Sequence, residues 1–109
     1  MRIWDIEPQY LCQQHLLGEH RELHAIWSVI TEGKRGYSRH PETLRWVDSL
    51  AALYLRHELE VMEMEKRGYH HHSPLDKSKA TGNKLQSKLV DPVDKQIKKI
   101  HNKKCNCNV

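Results

Sequence analysis

An all-α fold follows from three features of this 109-residue chain. Two long segments repeat apolar residues at helical spacing, and each opens near a proline and closes at a glycine. No stretch of useful length alternates apolar with polar residues, as a half-buried strand would. The architecture expected is a compact bundle of two long helices plus short helical segments, followed by a basic C-terminal tail. A chain this long supports one domain with a modest core. Composition divides it into a helical domain over residues 1–75 and a flexible, Lys-rich tail over residues 76–109 with a short helix.

The first helix is expected over residues 8–31, with Pro8 in its first turn and Gly33 just past its end. A basic, glycine-punctuated loop follows at residues 33–39. The second helix is expected over residues 41–67, with Gly68 ready to adopt the left-handed conformation that closes many helices. Its apolar stripe of Leu44, Val47, Leu50, Ala51, Tyr54, Leu55, Leu59 and Met62 reads as core. Trp4, Trp27 and Trp46 read as core or rim packing rather than as base-stacking surfaces. Ser73-Pro74 marks a turn after three consecutive histidines, His70 to His72. Further on, residues 91–100 suit a short basic helix with Val93, Ile97 and Ile100 on one side.

The net charge of +4 is unevenly spread. Residues 1–76 carry 9 Lys+Arg against 12 Asp+Glu, whereas residues 77–109 carry 9 Lys against 2 Asp. A basic tail of this kind either neutralises nucleic-acid phosphates or is a solvated extension. No stretch approaches the roughly 18 apolar residues of a membrane span. The first ten residues contain Asp5, Glu7 and Pro8 and lack an apolar signal core, so residue 1 is expected to start the mature chain. Three cysteines make no disulfide framework, and an intracellular, reducing location is expected. Cys12 reads as a small core residue. Cys105 and Cys107 read as part of a frayed end, with a weak metal or redox role as the alternative.

The informative stretch is residues 13–24. At about 100° per residue, His15, Glu19 and Glu22 fall on the face shared by Leu11, Cys12, Ile26, Val29 and Ile30, while His20, Arg21 and His24 point elsewhere. Carboxylates in an apolar stripe have raised pKa values suited to proton transfer. The alternative is a packing network, with Glu19 or Glu22 bound to an arginine of the second helix. His20 and His24 stand at a chelating i, i+4 spacing. The zinc-protease helix, however, needs its Glu immediately after the first His, and here Glu22 comes two places later. Exposed surface histidines are therefore expected, with no metal and no cofactor.

Met1-Arg2-Ile3, Gln14-His15-Leu16 and residues 19–23 (Glu-His-Arg-Glu-Leu) resemble the N-terminal region of the phage-type pyrimidine-dimer DNA glycosylase/AP lyase family. Lys66-Arg67-Gly68-Tyr69 resembles the end of a long helix in the same family. The resemblance covers residues 1–75 and is most specific at residues 13–23. It implies an all-helical enzyme whose nucleophile is the α-amine of Met1, with Glu22 as catalytic carboxylate. Arg2, His15 and Arg21 would bind phosphates of a damaged double-stranded DNA, and the protein would act as a monomer without a membrane partner. An α-amine titrates near 7.7–8.0, low enough to be partly unprotonated at neutral pH. The alternatives are a non-catalytic DNA-binding protein on the same fold, or a metal-binding interaction module using His20, His24, the three-histidine run or the terminal cysteines.

Overall fold

The computed structural model describes residues 2–36, 38–71, 73–103 and 105–108. Four helices, α1 (Gln13–Glu32), α2 (Pro41–Leu44), α3 (Leu50–Lys66) and α4 (Val93–His101), carry the fold. Two single 3-10 turns accompany them, Pro8–Tyr10 before α1 and Lys77–Lys79 between α3 and α4. The fold is all-α, and no strand occurs among the described residues.

The helix ends at Gly33 (φ 65°) and Gly68 (φ 84°) fall where the glycines predict them. The starts do not. Pro8 opens only its own 3-10 turn, because Leu11 and Cys12 are extended and α1 begins at Gln13. The second expected helix is broken in two. α2 stops at Leu44, and Ser49 (φ −139°, ψ 43°) resets the backbone before α3. The break turns Arg45 and Trp46 inward, where Arg45 binds Glu42 (2.6 Å), Asp5 (3.0 Å) and the carbonyl of Ile3 (3.0 Å).

The core stripes are rotated from those expected. On α3 the expected Leu50 and Ala51 are buried together with Leu53, His57, Glu60 and Met64, while Leu55, Leu59 and Met62 are exposed, as are Leu44 and Val47 before the helix. On α1 the expected Glu19, Ile26 and Val29 are buried, but the buried face also takes in Leu16, His20, Leu23 and Trp27, a rotation of roughly 60° toward His20. One apolar cluster joins Ile3, Leu23, Ile26, Trp27, Trp46, Leu50 and Leu53. A second joins Trp4, Ile6, Leu11, Leu16, Met64 and Ile100. All three tryptophans are core residues.

The C-terminal third packs against these helices. Carbonyls of Thr81 and Asn83 accept from Ala51 N (2.8 Å) and Ala52 N (3.0 Å), satisfying donors that the first turn of α3 leaves without partners. Gly82, between them, has φ 82°, and a Cβ there would run into the backbone carbonyl of Asp48. Ile100 and Gln96 of α4 are fully buried. Gln96 accepts from Asp5 N (2.7 Å) and donates to the Asp5 carboxylate (3.0 Å), so α4 closes over the N-terminal segment. Val93, expected on the buried side, is exposed. Among the described residues, no helix is long and apolar enough to cross a membrane.

Candidate active site

The N-terminal segment runs antiparallel to α1. Trp4 N donates to Glu19 Oε1 (2.7 Å), and the Trp4 ring meets His15 edge-on at 5.8 Å between centroids. One to two turns beyond Glu19, Leu23 and Ile26 of α1 share an apolar cluster with Ile3. Arginines from the other helices hold this segment by its carbonyls, Arg45 at Ile3 and Arg56 at Ile6 (2.8 Å). Extended backbone that cannot pair in a sheet is thereby satisfied by side chains.

Glu19 and Glu22 have different surroundings. Glu19 is buried and binds Arg56 at 2.8 Å, as the packing alternative anticipated. Burial holds its pKa well above the usual carboxylate range, against the pull of Arg56. Glu60 lies 3.4 Å from the same guanidinium and 2.9 Å from His20 Nδ1, and burial raises its pKa too. Two carboxylates thus share one arginine in the interior. Burial opposes the charge on Arg56, but Glu19 and Glu60 outweigh it and raise the guanidinium's pKa. Glu22, one turn on, is half-buried at the edge of the stripe. At 100° per residue it stands on the His15 side of α1.

The remaining predicted site residues are dispersed. Arg2 binds Asp91 (3.0 Å), lies over Trp4, and lines a groove of about 580 Å³ with Lys99, Asn102 and Lys103. Arg21 is exposed and lines a separate cleft with His20, His24, Met64, His70, His71 and Ser73. His15 turns Nδ1 toward the thiols of Cys12 and Cys107, at 3.2 Å from each. Met1 lies outside the described residues, as do Tyr37 and His72.

Two groupings depart from the sequence expectation. His20 and His24 are not exposed surface histidines. His20 is 7% exposed, and both pack with His57 and His71 in a four-imidazole cluster. Burial lowers the pKa of His20 and His57, and that of His24 to about 4. Cys12 is not a core residue but the N-cap of α1. Nor do Cys105 and Cys107 fray, since both pack at the edge of the second apolar cluster. Burial pushes the Cys107 thiol up to about 12. The signals for these groupings were the His20/His24 and Cys12/His15 spacings on one helix, but the partners that complete each set lie far along the chain.

The fold is all-helical, and its N-terminal segment is held along a carboxylate-bearing helix through Trp4 and Glu19. Residues 1–77 match the family model of the pyrimidine dimer DNA glycosylases, and the chain belongs to that family. Membership implies a glycosylase-type function in DNA repair, with DNA as substrate. Neither the curated proteins nor the solved structures yield a match to the chain.

Proposed function

We propose that the protein is a DNA glycosylase with abasic-site lyase activity, using the α-amine of Met1 as nucleophile and Glu22 as its partner carboxylate. The observation that carries this reading is the path of the N-terminal segment. Trp4 is tied to Glu19, and Ile3 shares one apolar cluster with Leu23 and Ile26. Ile3 and Trp4 thus lie along the helix that carries Glu22, and the two residues of chain upstream of Ile3 span at most about 7 Å, which supports the reading.

The chemistry follows from these groups. The free amine attacks C1′ of the damaged nucleotide, and the base departs with the electrons of the N-glycosidic bond. Protonation of O4′ and cleavage of the C1′–O4′ bond then open the sugar to an iminium, a cation that the Glu22 carboxylate stabilises. Transfer of a C2′ proton to a carboxylate then expels the 3′ phosphate by β-elimination. Arg2, Arg21 and His15 would hold phosphates, the arginines by their planar forks. Lys99 and Lys103 beside Arg2 extend that basic surface. A damaged duplex is weakly stacked, so a nucleotide is extruded there at lower cost. Pyrimidine dimers are the lesion that the family description names, and the protein would act on them in double-stranded DNA as a monomer.

Strand cleavage of duplexes carrying one abasic site or one cyclobutane pyrimidine dimer tests the reading. The native protein should cleave at least the abasic duplex, and Glu22→Gln should lower the rate by about 10²–10⁴-fold. An unchanged rate in Glu22→Gln removes Glu22 from the chemistry.

A further inference from the structure

We propose that Cys12, His15, Cys105 and Cys107 form a tetrahedral zinc site that clasps the C-terminal tail to the first turn of α1. Their ligand atoms all lie within 4.8 Å of one another. His15 Nδ1 is 3.2 Å from both the Cys12 and the Cys107 sulfur. Tetrahedral zinc with Zn–S of about 2.3 Å and Zn–N of about 2.0–2.1 Å sets ligand atoms about 3.5–3.8 Å apart, so small side-chain rotations close the set. Three thiolates and one imidazole are a closed structural donor set for Zn²⁺.

The surroundings fit thiolate ligands. Cys12 N donates to Cys107 Sγ at 3.0 Å, the kind of N–H···S contact that supports a bound thiolate. Cys12 also caps α1, whose N-terminal dipole favours negative sulfur. The tail is guided into place by Asn108 N donating to the carbonyl of Tyr10 (2.8 Å). Ligation through Nδ1 leaves the proton on Nε2, so His15 remains a hydrogen-bond donor and keeps its proposed phosphate contact.

A different observation carries a second centre. We infer that His20, His24, His57 and His71 bind a divalent transition metal between α1, α3 and the segment that follows α3. Their ligand nitrogens also lie within 4.8 Å of one another, and Nε2 of His20 and His24 face each other at 3.1 Å. His57 Nε2 is buried without a hydrogen-bond partner. On the far side of the rings, Nδ1 of His20 meets Glu60 and Nδ1 of His57 meets Glu58, each at 2.9 Å. Carboxylates on the outer nitrogens of inward-facing imidazoles are the arrangement that orients histidine ligands on a metal.

One experiment tests both. Untagged full-length protein is loaded with Zn²⁺ or Co²⁺, freed of excess metal, and assayed for metal per chain and for its Co²⁺ absorption spectrum. Native protein should hold two ions per chain and show an intense near-ultraviolet thiolate-to-cobalt band. Cys107→Ser, outside every helix, should lose one ion and most of that band. His24→Asn should lose one ion and leave the band unchanged. No thiolate band, a band undiminished in Cys107→Ser, or a metal-free protein with two thiols lost to a disulfide overturns the cysteine site. Equal metal content in native and His24→Asn proteins overturns the histidine site.

Discussion

The backbone N–H of Trp4 donates to the Glu19 carboxylate at 2.7 Å, and this bond ties the N-terminal segment to the helix that carries Glu22. Glu19 accepts it while bound to Arg56, whose other nitrogen donates to Glu19 (3.1 Å) and to the carbonyl of Ile6 (2.8 Å). One arginine on α3 therefore fixes both the carboxylate and the strand-like segment that the carboxylate holds.

Arg56→Ala leaves Glu19 and Glu60 buried together without their shared cation. Removing one partner of a buried ion pair costs about 3–5 kcal/mol. Urea unfolding should show that loss, with lyase activity falling at temperatures where native protein is still folded.

Gly82→Ala should also destabilise, by about 1–3 kcal/mol, through a left-handed backbone and a contact with the Asp48 carbonyl. Because the turn at Gly82 caps α3, the loss should appear in hydrogen exchange at Ala51 and Ala52 before it appears elsewhere.

Glu42 gives a pH dependence. It is buried, accepts from Arg45 and from Trp46 Nε1 (3.2 Å), and burial raises its pKa despite Arg45. The folded state therefore holds this proton to higher pH than the unfolded chain does. The Glu42 contribution to stability declines as pH rises from the unfolded value through the raised folded one. Urea unfolding of native protein and of Glu42→Gln at several pH values checks this. The stability of Glu42→Gln relative to native should increase across that window, whatever constant offset its lost ion pair adds.

Binding to undamaged duplex should weaken steeply with salt, since phosphate neutralisation releases counterions. Lys103→Ala, in the groove with Arg2, should reduce the log–log salt slope by about one unit. An unchanged slope places the DNA on another surface.

Local signals were legible in the sequence. Gly33 and Gly68 end helices because a left-handed residue needs no partner elsewhere in the chain to be recognised. The Glu19–arginine network was likewise readable from a carboxylate in an apolar stripe. The faces of α1 and α3 were not readable. His57 and Glu60 each have one side-chain atom bound, His57 Nδ1 to Glu58 and Glu60 Oε1 to His20, with Arg56 beside Glu60, and those partners are invisible to periodicity. Leu55, Leu59 and Met62 then fall on the exposed side. The break after α2 depends on Arg45 reaching Asp5 across 40 residues. The cysteine cluster required knowing that the tail folds back onto α1.

The central claim is that a terminal amine beside Glu22 does the chemistry, and borohydride trapping tests it most directly. Native protein and a form with its α-amine blocked are each incubated with abasic duplex and reductant, and the adduct is mapped by peptide mass spectrometry. The account predicts a covalent adduct on the peptide containing Met1, absent from the blocked form. An adduct on a lysine, or equal trapping by the blocked form, contradicts it.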